Sequence, residues 1–312
     1  MAKFKDSLSS RFIFKKSRKH RLKYIRVLPS LITLLNGIFG FAAIYFASKG
    51  SITGSLVFRE PDFTYFEMAG YMIILAMVAD MLDGRVARMS QSTSSFGGQL
   101  DSLCDMISFG VAPAFLMLKV LENKLSMISD ISPTTMLFFT RFFWITAAVY
   151  ISCSAIRLAR FNVENEEDES AHMSFWGLPS PAAAGVILSL VVFHQSMLPK
   201  LTERASSFYN LSENIIMICL PFVALGVAFL MVSRIRYSHV LNHYLRGKKP
   251  FGYFLRAIIF IVIIIHNFEA AMVLVFCGFA IGGPVKWAFH KFWLRGRSGH
   301  HIIEPKVSEE AH

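Results

Sequence analysis

Four aspartates at fixed spacing are the residues of this sequence best suited to chemistry. Asp80 and Asp83 are three residues apart and Asp101 and Asp105 are four apart, within the motif D-x2-D-G-x2-A-R-x8-G-x3-D-x3-D. If both segments are helical, the two members of each pair project from one face. Each pair also adjoins an apolar run, where unpaired carboxylates are costly unless cations neutralise them. The motif therefore predicts a metal site that acts on phosphate groups.

The carboxylate oxygens of this motif favour Mg²⁺ or Mn²⁺, whereas zinc would favour nitrogen or sulfur ligands. Two such ions, about 3.5–4 Å apart, can neutralise a diphosphate and align the attacking and leaving oxygens. We expect Asp80, Asp83 and Asp101 to bridge the two ions. Asp105 lies one turn beyond Asp101, where its carboxylate could accept the proton of an attacking hydroxyl group.

The other fixed positions of the motif suit a bound nucleotide. Gly84 and Ala87 continue the helical face of Asp80, and larger side chains there would fill the space in which a nucleotide could lie. Close helix packing is the alternative reason for small residues at these positions. Arg88 could bind a phosphate through two donors. Gly97 begins the next apolar segment, and we expect it to serve structure by letting the two segments approach.

Long apolar segments must position these residues. The chain is 54% hydrophobic, with a mean hydropathy of +0.48. Eight of its apolar runs approach the ~20 residues that span a bilayer. The runs are 28–48, 66–82, 98–119, 135–156, 178–196, 214–233, 251–265 and 268–285. We predict an all-α integral membrane protein with about eight transmembrane helices. Six spans are the alternative if 251–285 does not cross twice.

The distribution of Lys and Arg predicts the orientation. Residues 1–27 hold ten of them, interleaved with Phe and Leu as in a helix at a membrane interface. Basic residues are concentrated at every second junction. We therefore expect the aspartate motif and both termini to be cytoplasmic in a multi-pass protein of the cell membrane. The predicted units are a basic amphipathic juxtamembrane segment (1–27), a transmembrane catalytic domain (28–285, signature 80–105) and a basic, then polar cytoplasmic tail (286–312).

The formal net charge of +11 does not indicate a nucleic-acid-binding protein. The basic residues lie beside apolar runs and not in a separate basic domain, and no nucleic-acid-binding motif is found. Lys and Arg beside a membrane attract the headgroups of anionic lipids. We therefore expect anionic membrane lipids, and no nucleic acid, among the partners.

The aspartate motif resembles the signature of the CDP-alcohol phosphotransferases, membrane enzymes in which an alcohol displaces CMP from a CDP-linked substrate. The resemblance implies that the first three motif aspartates, Asp80, Asp83 and Asp101, bind metal. It implies that Asp105 combines a metal contact with the general-base role. It also implies a nucleotide site at the Gly-x2-Ala-Arg positions of the motif and a homodimeric assembly.

A polar turn at the start of the first apolar run adds two candidates. Thr33 and Asn36 lie there, in the segment LPSLITLLNG. Similar polar residues in the resembled family help to hold the cytidine and the phosphates, so these two side chains are candidate substrate contacts. A polar first turn is also common wherever a helix enters a membrane, and this alternative stays open.

Three further segments narrow the choice of acceptor alcohol. Residues 100–115, 157–163 and 177–185 resemble the bacterial and archaeal phosphatidylserine synthases of this family. The resemblance implies transfer of the phosphatidyl group from CDP-diacylglycerol to L-serine, with release of CMP.

A serine acceptor brings a carboxylate that requires a cation. Arg157 and Arg160 are three residues apart and would share one helical face at the end of the fourth apolar run, where they could bind that carboxylate. Anchoring of the span by the positive-inside rule is the alternative. Asn162 and Ser180 are further candidate contacts of the acceptor.

Other functions fit parts of the pattern. Within the family, the acceptor could be glycerol phosphate, inositol phosphate or choline. From another class, a cation transporter could carry an intramembrane aspartate cluster. A transporter would place acidic residues across the depth of the membrane, whereas the motif groups them at one face with an arginine and glycines.

Overall fold

Seven helical rods make up most of the computed structural model, which describes residues 30–50, 64–90, 95–126, 128, 132–167, 175–202, 206–237 and 267–297. The helices are α1 (Ser30–Gly50), α2 (Tyr65–Ser90), α3 (Ser95–Asp105), a π-helical segment (Met106–Val111), α4 (Ala112–Ser126), α5 (Pro133–Glu167), α6 (Ser180–Thr202), α7 (Ser206–Val232) and α8 (Phe268–Arg297). α3, the π-helical segment and α4 form one continuous rod.

Five helices among the described residues are long and apolar enough to cross a membrane. They are Ser30–Gly50, Tyr65–Val86, Phe96–Ser126, Pro133–Val163 and Phe268–Phe289. α6 and α7 contribute the shorter apolar stretches Ser180–Ser196 and Ile218–Val232. The predicted all-α membrane architecture is confirmed, and the count of eight spans stays a prediction. The seventh apolar run, 251–265, and the predicted interfacial segment, 1–27, lie outside the described residues.

α6 is the centre of the bundle. Its sequence begins SPAAAGVILSLVVF and is apolar on all sides, as expected of a helix that is buried all round. It packs against α2, α7 and α8, and Ile187 is fully buried. Glycines permit two of these contacts, because Gly70 of α2 faces Val192 and Gly185 faces Phe276 of α8.

Local sequence signals begin two of the long helices. At α2, the Thr64 N–H donates to Glu67 Oε2 (2.6 Å) and the Glu67 N–H donates to Thr64 Oγ1 (3.2 Å), which is a capping box. At α5, the Thr135 N–H donates to Ser132 Oγ (3.3 Å). α5 continues for 35 residues. It is therefore about 52 Å long, more than the ~30 Å hydrocarbon core of a bilayer.

A two-stranded antiparallel pair joins the connections after α5 and α7. β1 (Phe175–Trp176) pairs with β2 (Arg236–Tyr237). Gly177, with φ 79°, follows β1, and a Cβ there would collide with the carbonyl of Met231. The Tyr237 hydroxyl donates to the Ala280 carbonyl of α8 (3.0 Å), and burial raises the pKa of Tyr237 to about 12. The pair therefore links α5, α7 and α8 at one end of the bundle.

α1 packs closely against the rod that begins with α3. A Cβ at Gly40 would lie 2.8 Å from Ser108 Cα, and one at Gly37 would lie 3.0 Å from Cys104 Sγ. The Ser108 hydroxyl also donates to the Asn36 carbonyl (2.9 Å). The glycines therefore allow α1 to lie directly beside the second aspartate pair.

We expect Gly40→Ala to lower the thermal stability of the detergent-solubilised protein by several degrees. Alanine favours helix by ~1 kcal/mol over glycine, but here its methyl group would overlap Ser108 and push α1 away. Gly226→Ala on α7 is the matched control, because a Cβ there meets no described atom within 4 Å. Thermal unfolding of both variants tests the contact, and equal stability would contradict it.

Candidate active site

Three of the four signature aspartates converge where α2 and α3 meet. Asp80 of α2 and Asp101 and Asp105 of α3 each place one carboxylate oxygen within 4.8 Å of the others. All three side chains are half-buried. The helical spacing explains the arrangement, because residues four apart on α3 face the same side and point at α2.

Asp83 belongs to the same charge cluster but faces α1. Its Oδ2 accepts a hydrogen bond from the Thr33 hydroxyl, and its side chain is buried. Its Oδ1 is also buried and has no hydrogen-bond partner among the described residues. Asp83 repels both Asp80 and Asp101 electrostatically. The four carboxylates thus form one cluster with at least one buried oxygen left for a ligand.

The cluster fits divalent cations of the Mg²⁺ or Mn²⁺ type. Its ligands are all carboxylate oxygens, which these hard cations prefer. The buried, unpartnered Asp83 Oδ1 would otherwise be an uncompensated polar atom, and binding a cation would satisfy it. The chemistry of the donor set therefore agrees with the metal site expected from the motif.

α1 also holds the fourth aspartate. Asn36 Nδ2 donates a hydrogen bond to Asp105 Oδ1 (2.9 Å), and the Asn36 side chain is fully buried. Thr33 and Asn36 therefore each donate to a different signature aspartate. The sequence singled out both as candidate substrate contacts, whereas their described partners are protein carboxylates.

The small residues of the motif lie in different surroundings. A Cβ at Gly84 would meet no described atom within 4 Å, so the described residues leave space on this face of α2. The described residues thus make no close helix contact at Gly84, and the nucleotide site stays a prediction. Gly97 is half-buried near the start of α3. The side chains of Ala87 and Arg88 lie outside the described part of the structure.

The guanidinium of Arg157 on α5 lies near the aspartates and is held by α6. Arg157 Nη1 donates to the hydroxyl of Ser180 at the start of α6 (2.6 Å), and the guanidinium lies 5.7 Å from the ring centroid of Phe161. Arg157 also attracts Asp80 and Asp105 electrostatically. Two predicted acceptor contacts, Arg157 and Ser180, therefore lie together near the cluster.

The other two predicted acceptor contacts have separate partners. Arg160 Nη1 donates to the Val232 carbonyl at the C-terminal end of α7 (3.3 Å), where a cation also meets the negative end of the helix dipole. Asn162 Nδ2 donates to the Ser102 hydroxyl of α3 (2.9 Å). Arg157 and Arg160 thus have different partners although they share a helix.

Two residues that no sequence pattern singled out support the segment after Asp105. The Ser108 hydroxyl donates to the Asn36 carbonyl, and the hydroxyl of the fully buried Tyr150 donates to the Phe109 carbonyl (3.1 Å). Ser108 belongs to the π-helical segment and ties it to α1, and Tyr150 of α5 bonds to the same segment, whose longer repeat displaces the backbone from an ordinary helix. A single serine or tyrosine in an apolar run carries no spacing signal, so no pattern could have singled them out.

Comparison with known proteins decides the family. Residues 26–230 match the family model described as CDP-alcohol phosphatidyltransferase, which covers the signature and six of the seven described rods. The chain belongs to this family. It is a multi-pass membrane protein, since five of its helices are long and apolar enough to span a bilayer.

Several similar proteins share one name. A Helicobacter pylori CDP-diacylglycerol–serine O-phosphatidyltransferase is 29% identical over 263 residues, covering 84% of this chain and 91% of that protein. Proteins of the same name from Saccharomyces cerevisiae and Methanocaldococcus jannaschii are 34% and 36% identical over 56% and 48% of this chain. These alignments cover 57% and 59% of the two relatives. Family membership removes the basis for the cation-transporter alternative.

We expect Asp80→Asn and Asp101→Asn each to abolish CMP release and to weaken Mn²⁺ binding, because each removes a charge from the convergent carboxylates. Chelation by EDTA should stop the wild-type protein, and Mg²⁺ or Mn²⁺ should restore it. Electron paramagnetic resonance of Mn²⁺ measures binding independently of activity.

Glu122→Gln is the matched control for this loss of one negative charge. Glu122 pairs with Lys119 (2.8 Å) on α4, and it lies 17 residues beyond Asp105. That spacing corresponds to about 25 Å along the rod. The Glu122→Gln variant should therefore bind Mn²⁺ as the wild type does. Normal turnover by a metal-free preparation would disprove the metal site.

Proposed function

We propose that this chain transfers the phosphatidyl group from CDP-diacylglycerol to the hydroxyl group of L-serine and releases CMP. The observation that carries the proposal is the position of Arg157, whose guanidinium is held by Ser180 and attracts the carboxylate of Asp105. A cation beside a general base suits an alcohol that also carries a carboxylate. The relatives described above, which are named CDP-diacylglycerol–serine O-phosphatidyltransferases, support the same acceptor.

Asp105 is the proposed general base. The serine hydroxyl oxygen forms a bond to the phosphorus of the phosphatidyl group while its proton passes to Asp105. The bond between that phosphorus and the bridging oxygen breaks, and CMP leaves with the oxygen and its electron pair. Asp80, Asp83 and Asp101 are the proposed ligands of two Mg²⁺ or Mn²⁺ ions, with Asp105 as an additional ligand. When bound, these ions neutralise the charge of the diphosphate.

Substrate contacts are proposed on both sides of the aspartates. The open face of α2 at Gly84, continued by Ala87 and Arg88, is the proposed site of the CDP group. On the acceptor side, Arg157 is proposed to bind the serine carboxylate. Its guanidinium has five N–H donors, so the bond to Ser180 leaves others for a ligand.

The other acceptor candidates are assigned weaker roles. Arg160 is proposed to anchor α5 to the end of α7, because its described partner is a backbone carbonyl. Asn162, bonded to Ser102 one residue after Asp101, is proposed to fix α5 against α3 at the edge of the acceptor site.

We also propose eight spans with both termini in the cytoplasm, a location in the cell membrane, and an interfacial helix within residues 1–27. The alternation of junctions that are rich in Lys and Arg with junctions that have fewer of them supports this topology. The proposed partners are anionic lipids and a second copy of the chain. The homodimer is proposed on the family resemblance alone.

The direct test is purified protein in detergent with CDP-diacylglycerol, Mn²⁺ and labelled acceptor alcohols. We expect phosphatidylserine with L-serine, and little lipid product with glycerol phosphate, inositol phosphate or choline. Ethanolamine, which is serine without its carboxylate, is the sharpest comparison because only the ligand of Arg157 is missing. Product lipids are identified by mass spectrometry. Equal use of ethanolamine and serine would contradict a carboxylate-binding Arg157.

Substitution of Arg157 and of Arg160 should affect the KM for serine differently. We expect Arg157→Lys to raise the KM for serine by about tenfold or more with little change in the KM for CDP-diacylglycerol, because lysine loses the planar pair of donors. Arg160→Lys keeps the charge near the end of α7 and should change neither KM strongly. A rise confined to the lipid substrate in Arg157→Lys would assign this residue to the phosphate groups instead.

A further inference from the structure

The orientation of the Asn36 amide is set by Asp105. A carboxylate accepts hydrogen bonds, so the amide nitrogen of Asn36 must face Asp105 Oδ1, which it meets at 2.9 Å. The amide oxygen then points away. It is buried and has no hydrogen-bond partner among the described residues. A buried asparagine that served packing alone would have both ends of its amide satisfied.

The backbone of Asn36 is tied to the same rod. Its carbonyl accepts from the hydroxyl of Ser108, three residues after Asp105 (2.9 Å). Gly37 and Gly40 flank this contact and admit Cys104 and Ser108 without intervening side chains. Two hydrogen bonds therefore tie one residue of α1 to the short stretch that begins with Asp105.

We infer that Asn36 is a positioning residue for Asp105. Its N–H holds Asp105 Oδ1 toward α1, which leaves Oδ2 for the attacking hydroxyl group and the metal site. The described hydrogen bond of the Asn36 amide is to a protein carboxylate, and a phosphate would offer no donor to its buried amide oxygen. The inference rests on the proposed function, because that function makes Asp105 the base.

Two substitutions test this role. Asn36→Asp keeps the size of the side chain but turns an acceptor toward Asp105, and Asn36→Ala removes the donor. We expect each to lower kcat by ~10²-fold, because a misdirected base is no longer aligned with the hydroxyl group. The KM for CDP-diacylglycerol should stay within about threefold of the wild type, since a residue that orients the base without contacting that substrate affects kcat more than substrate binding.

Binding of the product CMP in the presence of Mn²⁺, measured by calorimetry, gives a readout that does not depend on turnover. Both variants should bind CMP as the wild type does. Ser48→Ala is the matched control on α1, because the Ser48 hydroxyl bonds locally to the Tyr45 carbonyl (2.7 Å). It should retain wild-type kcat and CMP affinity.

Several outcomes would overturn the inference. They are weakened CMP binding, a raised KM for CDP-diacylglycerol with unchanged kcat, or an Asn36→Asp variant as active as the wild type. A variant that binds no CMP would place Asn36 in the nucleotide site or in the fold itself, which also overturns it. The wild-type assay with serine separately decides the proposed function. If serine fails, the Asn36 variants are compared with whichever acceptor the wild type uses.

Discussion

Repulsion among four carboxylates at the end of apolar helices is the constraint on which the site depends. Bringing Asp80, Asp101 and Asp105 within 4.8 Å opposes folding unless other groups compensate. The described compensation comes from the Thr33 and Asn36 donors on α1 and from Arg157 on α5. These groups leave net negative charge and a buried, unpartnered Asp83 oxygen. A site with this excess of negative charge is suited to bind cations and, through them, a diphosphate.

The surrounding fold fixes the direction in which each compensating group points. α1 approaches α3 closely because Gly37 and Gly40 carry no side chain to keep the helices apart. Arg157 of α5 is held by Ser180, which begins α6 three residues after the positive-φ Gly177. Orientation by packing costs nothing at the moment of reaction, which is how a rigid bundle serves electrostatic catalysis. The groups that compensate the aspartates are therefore held by different helices.

Much of the architecture and the identity of the aspartates could be predicted, because both depend on local spacing. Apolar length and helical periodicity are properties of continuous segments, and seven of the eight predicted runs coincide with described helices. The partners of Asn36 and Arg160 could not be predicted, since they lie 69 and 72 residues away in the chain. The β1–β2 pair could not be predicted either. Its strands are far apart in the chain, and two residues per strand are too few to show an alternating pattern.

The division between α1 and α5 bears on how one site distinguishes an amino acid from other alcohols. Donors on α1 restrain Asp83 and Asp105, which any alcohol acceptor would need for transfer. Arg157 lies on α5 and has further N–H donors besides the one that bonds Ser180, so in the proposed function it is the group that responds to what else the acceptor carries. Under that proposal, chemistry and acceptor choice are separate functions of separate helices. A relative that uses another acceptor could keep the α1 contacts to Asp83 and Asp105 and differ only at Arg157 and the residues around it.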